Sequence, residues 1–189
     1  ILGFLFSKKI DALLESTTTV AIALLAGGLV LLFIDRFFKN SDIKDEKDVS
    51  FLKAFVIGTW QCLAMVPGVS RSAASIICGM QQKLTRNMAA EFSFFLAVPT
   101  MFAATAHSLV LKEWKLGGVT RKGYEIILDS KENTTAFIIG NIVAFIVALL
   151  AIRFFINYLK VYGFKVFGIY RIFAGIILIL LILAGLIDG

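Results

Sequence analysis

Four long stretches of this chain carry at most one charge over the length needed to cross a bilayer. Ser16–Ile34, Phe92–Leu111 and Asn133–Ile152 contain no Asp, Glu, Lys or Arg, and Val166–Ile187 contains only Arg171. About 20 apolar residues suffice to span the ~30 Å hydrocarbon core as a helix. Backbone groups find no water there, so a spanning segment must bond internally, as a helix does. The expected fold class is an all-α polytopic membrane protein. It forms a single integral-membrane domain over 1–189, with spans near 16–36, 90–111, 133–154 and 166–187. Composition agrees: 59% of the residues are hydrophobic and the mean hydropathy is +0.88, outside the range of soluble domains. The net charge of +6 lies between apolar stretches, where it meets lipid headgroups and sets topology. It forms no single face or arm, which excludes nucleic acid as an expected partner.

A fifth apolar region, 51–83, is different. Phe51–Val66 and Val69–Gln82 are each too short to cross comfortably, and Pro67-Gly68 separates them. The region reads either as one kinked span or as a re-entrant helical hairpin. Non-helical backbone at membrane depth is tolerated only where protein or a wet cavity covers it. The polar run Ser70-Arg71-Ser72 needs such a cavity, which favours the hairpin. Arg71 is the only charged residue between Ala54 and Gln82, and a charge at membrane depth costs roughly 2.5–3.5 kcal/mol on insertion scales. The small residues Ala73-Ala74-Ser75 can start a helix there, and a helix N-terminus offers free N–H groups and partial positive charge. With a guanidinium and hydroxyls added, the place suits a phosphate or diphosphate. The bland alternative is a snorkelling or capping arginine, and the distance of Arg71 from both ends of the region argues against it. Ser70 and Ser72 can donate to phosphate oxygens or cap the following helix, and for Ser72 the two readings are even. Ser70 as a covalent nucleophile is the weaker role, because no histidine is evidently placed to activate it.

The other segments carry plainer expectations. Ile1–Glu15 includes an interfacial helix, and Asn40–Ser50 is a solvated loop. Gly27-Gly28 permits close helix contact, and Pro99 kinks its span. Lys112–Glu132 is a polar loop with a short interfacial helix over 124–128. Gly140, Ala144 and Ala148 form a packing stripe. Arg153–Lys165 is a basic turn, and Arg171 snorkels to the interface. Cys62 and Cys78 fit no zinc or redox spacing and read as buried free thiols. His107 is a helix-end residue near the interface. With the hairpin reading, the positive-inside rule places Arg36, Lys83, Arg86 and Arg153 on the cytoplasmic side by a modest margin.

Phe55–Ser108 resembles the undecaprenyl-diphosphate phosphatase family, the bacitracin-resistance proteins. The resemblance rests on Gln61-Cys62-Leu63-Ala64, Pro67-Gly68-Val69-Ser70-Arg71-Ser72, Glu91-Phe92-Ser93-Phe94 and Leu96-Ala97-Val98-Pro99. It implies hydrolysis of undecaprenyl diphosphate to undecaprenyl phosphate and inorganic phosphate in the bacterial cytoplasmic (inner) membrane, recycling the cell-wall lipid carrier. It implies Arg71 and Ser70 as catalytic residues, and Ser72, Ser75 and Gly68 as substrate-binding. Gln61 and Glu91 stand behind them as supporting groups. Ser75 stands where the family often has Thr, and Ala73 where Gly is common. The family's first signature, E-G-x-T-E-F-L-P-V-S-S-T-G-H, does not occur here. The resemblance therefore implies the C-terminal portion of such an enzyme, inactive alone, with no metal ligand in this chain. The divalent cation of the family, Mg²⁺ or Ca²⁺, would be held by the absent acidic and histidine residues. The implied partners are a polyprenyl diphosphate lipid and the bilayer, and self-association into a homo-oligomer is left open. The alternative function is a transporter or lipid flippase using the same re-entrant cavity, since broken helices with a charge near the midplane serve transporters too. The phosphatase pattern S-R-x₅-H-x₃-D fails, because Ile77 and Gln81 occupy its histidine and aspartate positions.

Overall fold

The computed structural model describes residues 16–38, 42–116 and 118–188. The interfacial helix expected within Ile1–Glu15 lies outside them. The chain is helical and divides into two compact units, 1–94 with 158–189, and 95–157. Among the described residues, four of its helices are long and apolar enough to cross a membrane. It is an all-α polytopic membrane protein with one helical hairpin.

In the first unit, α1 (Thr17–Phe37) begins at Ser16, whose Oγ accepts from the Thr19 N–H at 3.2 Å. Helix α7 (Lys165–Leu183) runs antiparallel along it, and glycines make the approach close. A Cβ on Gly28 would sit 2.7 Å from Ile172 Cγ1 and 2.9 Å from the Gly168 carbonyl oxygen, and one on Gly175 would sit 2.9 Å from Leu25 Cγ. Hydrocarbon lipid supplies no hydrophobic drive between helices, so contact depends on small residues that let backbones meet. Gly27-Gly28 was expected to do this, and Gly28 does.

The hairpin consists of α2 (Phe51–Trp60), a 3₁₀ segment (Gln61–Met65), a turn and α3 (Arg71–Gln81). Ser50 caps α2 through the Lys53 N–H. Ile43 forms a parallel bridge with Leu84, the Ile43 and Asp42 N–H groups donating to the Lys83 carbonyl at 3.1 and 3.0 Å. The Thr85 N–H returns a bond to the Ile43 carbonyl at 2.9 Å. The way into the hairpin is thus stitched to the way out, which one kinked span could not allow. Part of the solvated 40–50 loop therefore has a structural task that its polarity conceals.

At that same end, Asp35 gathers three elements. Its Oδ1 accepts from Arg86 Nε at 2.9 Å, and its Oδ2 accepts from the Phe164 N–H at 3.1 Å. Arg86 also donates to the Leu159 carbonyl at 3.3 Å. Gly163 (φ +68) turns the chain here, and a Cβ on it would stand 2.5 Å from Asp35 Oδ2.

Helix α4 (Arg86–Val110) runs through Pro99 and from the first unit into the second. There the chain forms a two-stranded antiparallel ribbon, β1 (Glu113–Leu116) and β2 (Val119–Lys122), with Glu113 opposite Lys122. The sequence reading has this ribbon as plain loop, because four-residue strands are too short to show an alternation. Helix α5 (Gly123–Leu128) is the short helix expected there. Helix α6 (Lys131–Tyr162) corrects the basic turn expected over 153–165, since no breaker interrupts it before Gly163. Gly140, Ala144 and Ala148 are exposed, and nothing among the described residues lies within 4 Å of a Cβ built on Gly140.

Candidate active site

The turn between the hairpin arms follows from its residues. Val66 is extended (ψ 123), as the residue before a proline must be. Pro67 takes the first corner, and Gly68 the second with φ +83. The Val69 N–H closes back on the Val66 carbonyl at 3.1 Å. Proline then a positive-φ glycine, with that bond, is a type II turn. It directs the chain into Ser70, the N-cap of α3, whose Oγ accepts from the Ala73 N–H at 3.2 Å. Ser70, not Ser72, is the cap. The Ser72 side chain is exposed, and its Oγ lies 3.2 Å from that of Ser70.

Arg71 is the first residue of α3, and its Nε donates to Gln61 Oε1 at 2.8 Å. Gln61 opens the 3₁₀ segment of the other arm, so the two arms meet through this bond and the guanidinium is aimed across the turn. Ser70, Arg71, Ser72, Gly68 and Gln61 are brought together as the sequence suggests. Two expected residues are placed elsewhere. Ser75 is only 2% exposed, and its Oγ lies 2.7 Å from Ser93 Oγ on α4. It is also within reach of the Arg71 and Ser72 carbonyls at 3.2 and 3.1 Å. A hydroxyl has one proton, so when Ser75 donates to its own helix it accepts from Ser93. That uses its hydroxyl to join α3 to α4, not to face the turn. Glu91 is half-buried on α4 and no hydrogen bond or ion pair links it to the turn among the described residues.

Arg171 is the residue that sequence reasoning placed wrongly. It does not snorkel. From α7 its guanidinium points into the unit, where one terminal nitrogen donates to the Gly68 carbonyl at 2.7 Å and to the Ala23 carbonyl at 3.4 Å. Gly27 makes the room, since a Cβ there would be 2.8 Å from that nitrogen. The signal was present in the sequence as a charge inside an apolar stretch, the same signal that singled out Arg71.

The arrangement offers an anion a helix N-terminus, two hydroxyls and a guanidinium, all on backbone bent by proline and glycine. Among the described residues no cluster of three or more His, Cys, Asp or Glu could hold a metal ion. Cys62 and Cys78 are free thiols, the first half-buried and the second buried.

Fold and turn together define a class: a polytopic α-helical membrane protein with an anion-suited turn at the tip of a helical hairpin. Residues 1–177 match the family described as bacitracin resistance protein BacA, and the chain belongs to that family. It is 55% identical over 185 residues to an undecaprenyl-diphosphatase of Flavobacterium psychrophilum, covering 96% of this chain and 64% of that protein. It is 53% identical over 186 residues to an undecaprenyl-diphosphatase of Porphyromonas gingivalis, covering 98% and 62%. An Aquifex aeolicus protein of the same name is 41% identical over 179 residues, covering 94% and 65%. The chain thus spans less than two thirds of the length of these relatives.

Proposed function

We propose that the protein containing this chain hydrolyses undecaprenyl diphosphate to undecaprenyl phosphate and inorganic phosphate, in the bacterial cytoplasmic membrane. The observation that carries the reading is the Pro67-Gly68 turn presenting Ser70 and Arg71 at the N-terminus of α3, in a chain whose relatives bear that activity in their names. Water attacks the terminal phosphorus, the bond to the bridging oxygen breaks, and the lipid monophosphate leaves. Negative charge redistributes over phosphoryl and bridging oxygens, and positioned cations and N–H groups stabilise it. Arg71 supplies the cation and the α3 N-terminus the N–H groups. Ser70 and Ser72 orient phosphate oxygens, the former while capping the helix. The family implies a divalent cation, Mg²⁺ or Ca²⁺. The described residues do not form a site for it.

The test is phosphate release from a polyprenyl diphosphate by the full-length protein in detergent, supplied with Mg²⁺ or Ca²⁺. Arg71→Ala is expected to lose at least about a hundredfold in kcat, the scale of losing an electrostatic group at a transition state, while its Tm stays near wild type. Equal activity of the two proteins would remove Arg71 from the site. A wild type that releases no phosphate under any metal condition, yet moves the lipid between leaflets, would put a flippase in its place.

A further inference from the structure

The Pro67-Gly68 turn is held from outside the hairpin, by two helices distant in sequence. On one side it presses on α1: a Cβ at Gly68 would be 2.7 Å from the Val20 carbonyl oxygen and 2.9 Å from Val20 Cα. On the other, Arg171 of α7 reaches the Gly68 carbonyl at 2.7 Å. The turn's own bond runs from Val69 to Val66, so it leaves the Gly68 carbonyl pointing outward. The same Arg171 nitrogen touches the Ala23 carbonyl, which ties turn, α1 and α7 at one point. Arg171 Nε is buried with no partner among the described residues, so the side chain's polar anchorage there runs through this terminal nitrogen.

Gly68 lies two residues before Ser70 and three before Arg71. Whatever fixes its carbonyl fixes where the α3 N-terminus begins. We infer that Arg171 is a positioning residue for phosphate chemistry: it clamps the Gly68 carbonyl against α1 and so sets the place of the Ser70 cap and the Arg71 guanidinium. This rests on the phosphatase reading for its catalytic consequence, but not for the clamp. A guanidinium suits the task because it stays charged at depth and its terminal nitrogen carries two N–H donors, one for each carbonyl. Displacing a reacting group by about 1 Å from a distance can cost about a hundredfold in rate.

The experiment pairs kinetics with hydrogen exchange on the full-length protein in detergent micelles. Arg171→Met removes the donor and keeps the bulk, while Arg171→Lys keeps a donor. Arg171→Met is expected to lose about a hundredfold in kcat with KM changed less than about threefold, and Arg171→Lys to recover at least about a tenth of wild-type kcat. Peptides covering 66–75 should exchange roughly tenfold faster in Arg171→Met, with the Asp35–Arg86 end unchanged. Unchanged exchange at 66–75 would overturn the clamp. A rise in KM with kcat retained would also overturn positioning, since it would make Arg171 a phosphate contact. Loss of Tm matching loss of activity, with normal kcat per folded molecule, would reduce it to helix packing. Faster exchange in a protein whose wild type hydrolyses no polyprenyl diphosphate would uphold the clamp and refute the proposed activity instead.

Discussion

The two ends of α1 carry polar clusters of different kinds. At Asp35, charge meets charge: the carboxylate holds the Arg86 guanidinium and the Phe164 N–H. About 12 to 15 residues back, at Val20–Ala23, Arg171 meets only carbonyls among the described residues. At 1.5 Å per residue the two levels are roughly 18–22 Å apart along the helix. The first cluster neutralises itself and binds helix ends together. The second leaves a cation beside a turn that already presents Arg71 and a helix N-terminus. A partly buried ion pair is a scaffold whose loss leaves a bare charge, whereas a cation held by neutral carbonyls fixes the backbone that carries them. The division is that the hairpin base ties helix ends together, while its tip carries the turn proposed for phosphate chemistry.

Substitutions at the two levels can break this division. The largest effect on stability is expected at the base. Asp35→Ala strips Arg86 and the Phe164 N–H of their acceptor at once. The expected cost is about 3 kcal/mol, the upper end for leaving partly buried donors without their acceptor, since the side chains of Arg86 and Asp35 keep exposures of 33% and 13%. Denaturation in detergent should show it, while kcat per folded molecule stays within about threefold. Turnover abolished at unchanged Tm would mean that the base belongs to the site. Next comes Gly68→Ala at the tip. A non-glycine residue at φ +83 costs about 1–3 kcal/mol, and the new Cβ meets α1. A fall of about 10- to 100-fold in kcat is expected, with less lost stability than Asp35→Ala. A variant as active as wild type would show that the turn's position does not matter. The smallest effect is expected from Ser93→Ala, which removes the partner of Ser75 on α4. About 1 kcal/mol of stability and nearly unchanged turnover should result. A loss approaching that of Arg71→Ala would return Ser75 to the site.

Much of the candidate site's local geometry was legible because its residues lie within one short segment. Pro67-Gly68 specifies a turn whatever surrounds it, while the sequence leaves the cap open between Ser70 and Ser72 and the structure places it at Ser70. Arg71 to Gln61 is a contact across one hairpin, reachable once the hairpin is accepted. Ser75 was misread because its type suits phosphate and nothing local shows which face of α3 is buried. The ribbon over 113–122 and the continuation of α6 to Tyr162 escaped notice because polar residues were read as loop, although many of them are sound helix or strand formers.

What the sequence by itself determined is how this chain meets a bilayer. Charge-free runs of the right length must be helices there, and two short arms around Pro-Gly leave a kinked span or a re-entrant hairpin, of which the polar run Ser70-Arg71-Ser72 favours the hairpin. These follow from hydropathy, length and backbone chemistry, which are local. Only the tertiary structure decided that Asp35 would hold Arg86 and Phe164, that Ile43 would stitch to Leu84, and that Arg171 would turn inward to Gly68. Hydropathy reports depth and not direction: a spanning helix is apolar on every face, so the pattern does not show which face meets protein and which meets lipid. Where a side chain at that depth points is decided by the polar group nearest to it after packing, and for Arg171 that group is a carbonyl 103 residues away in sequence.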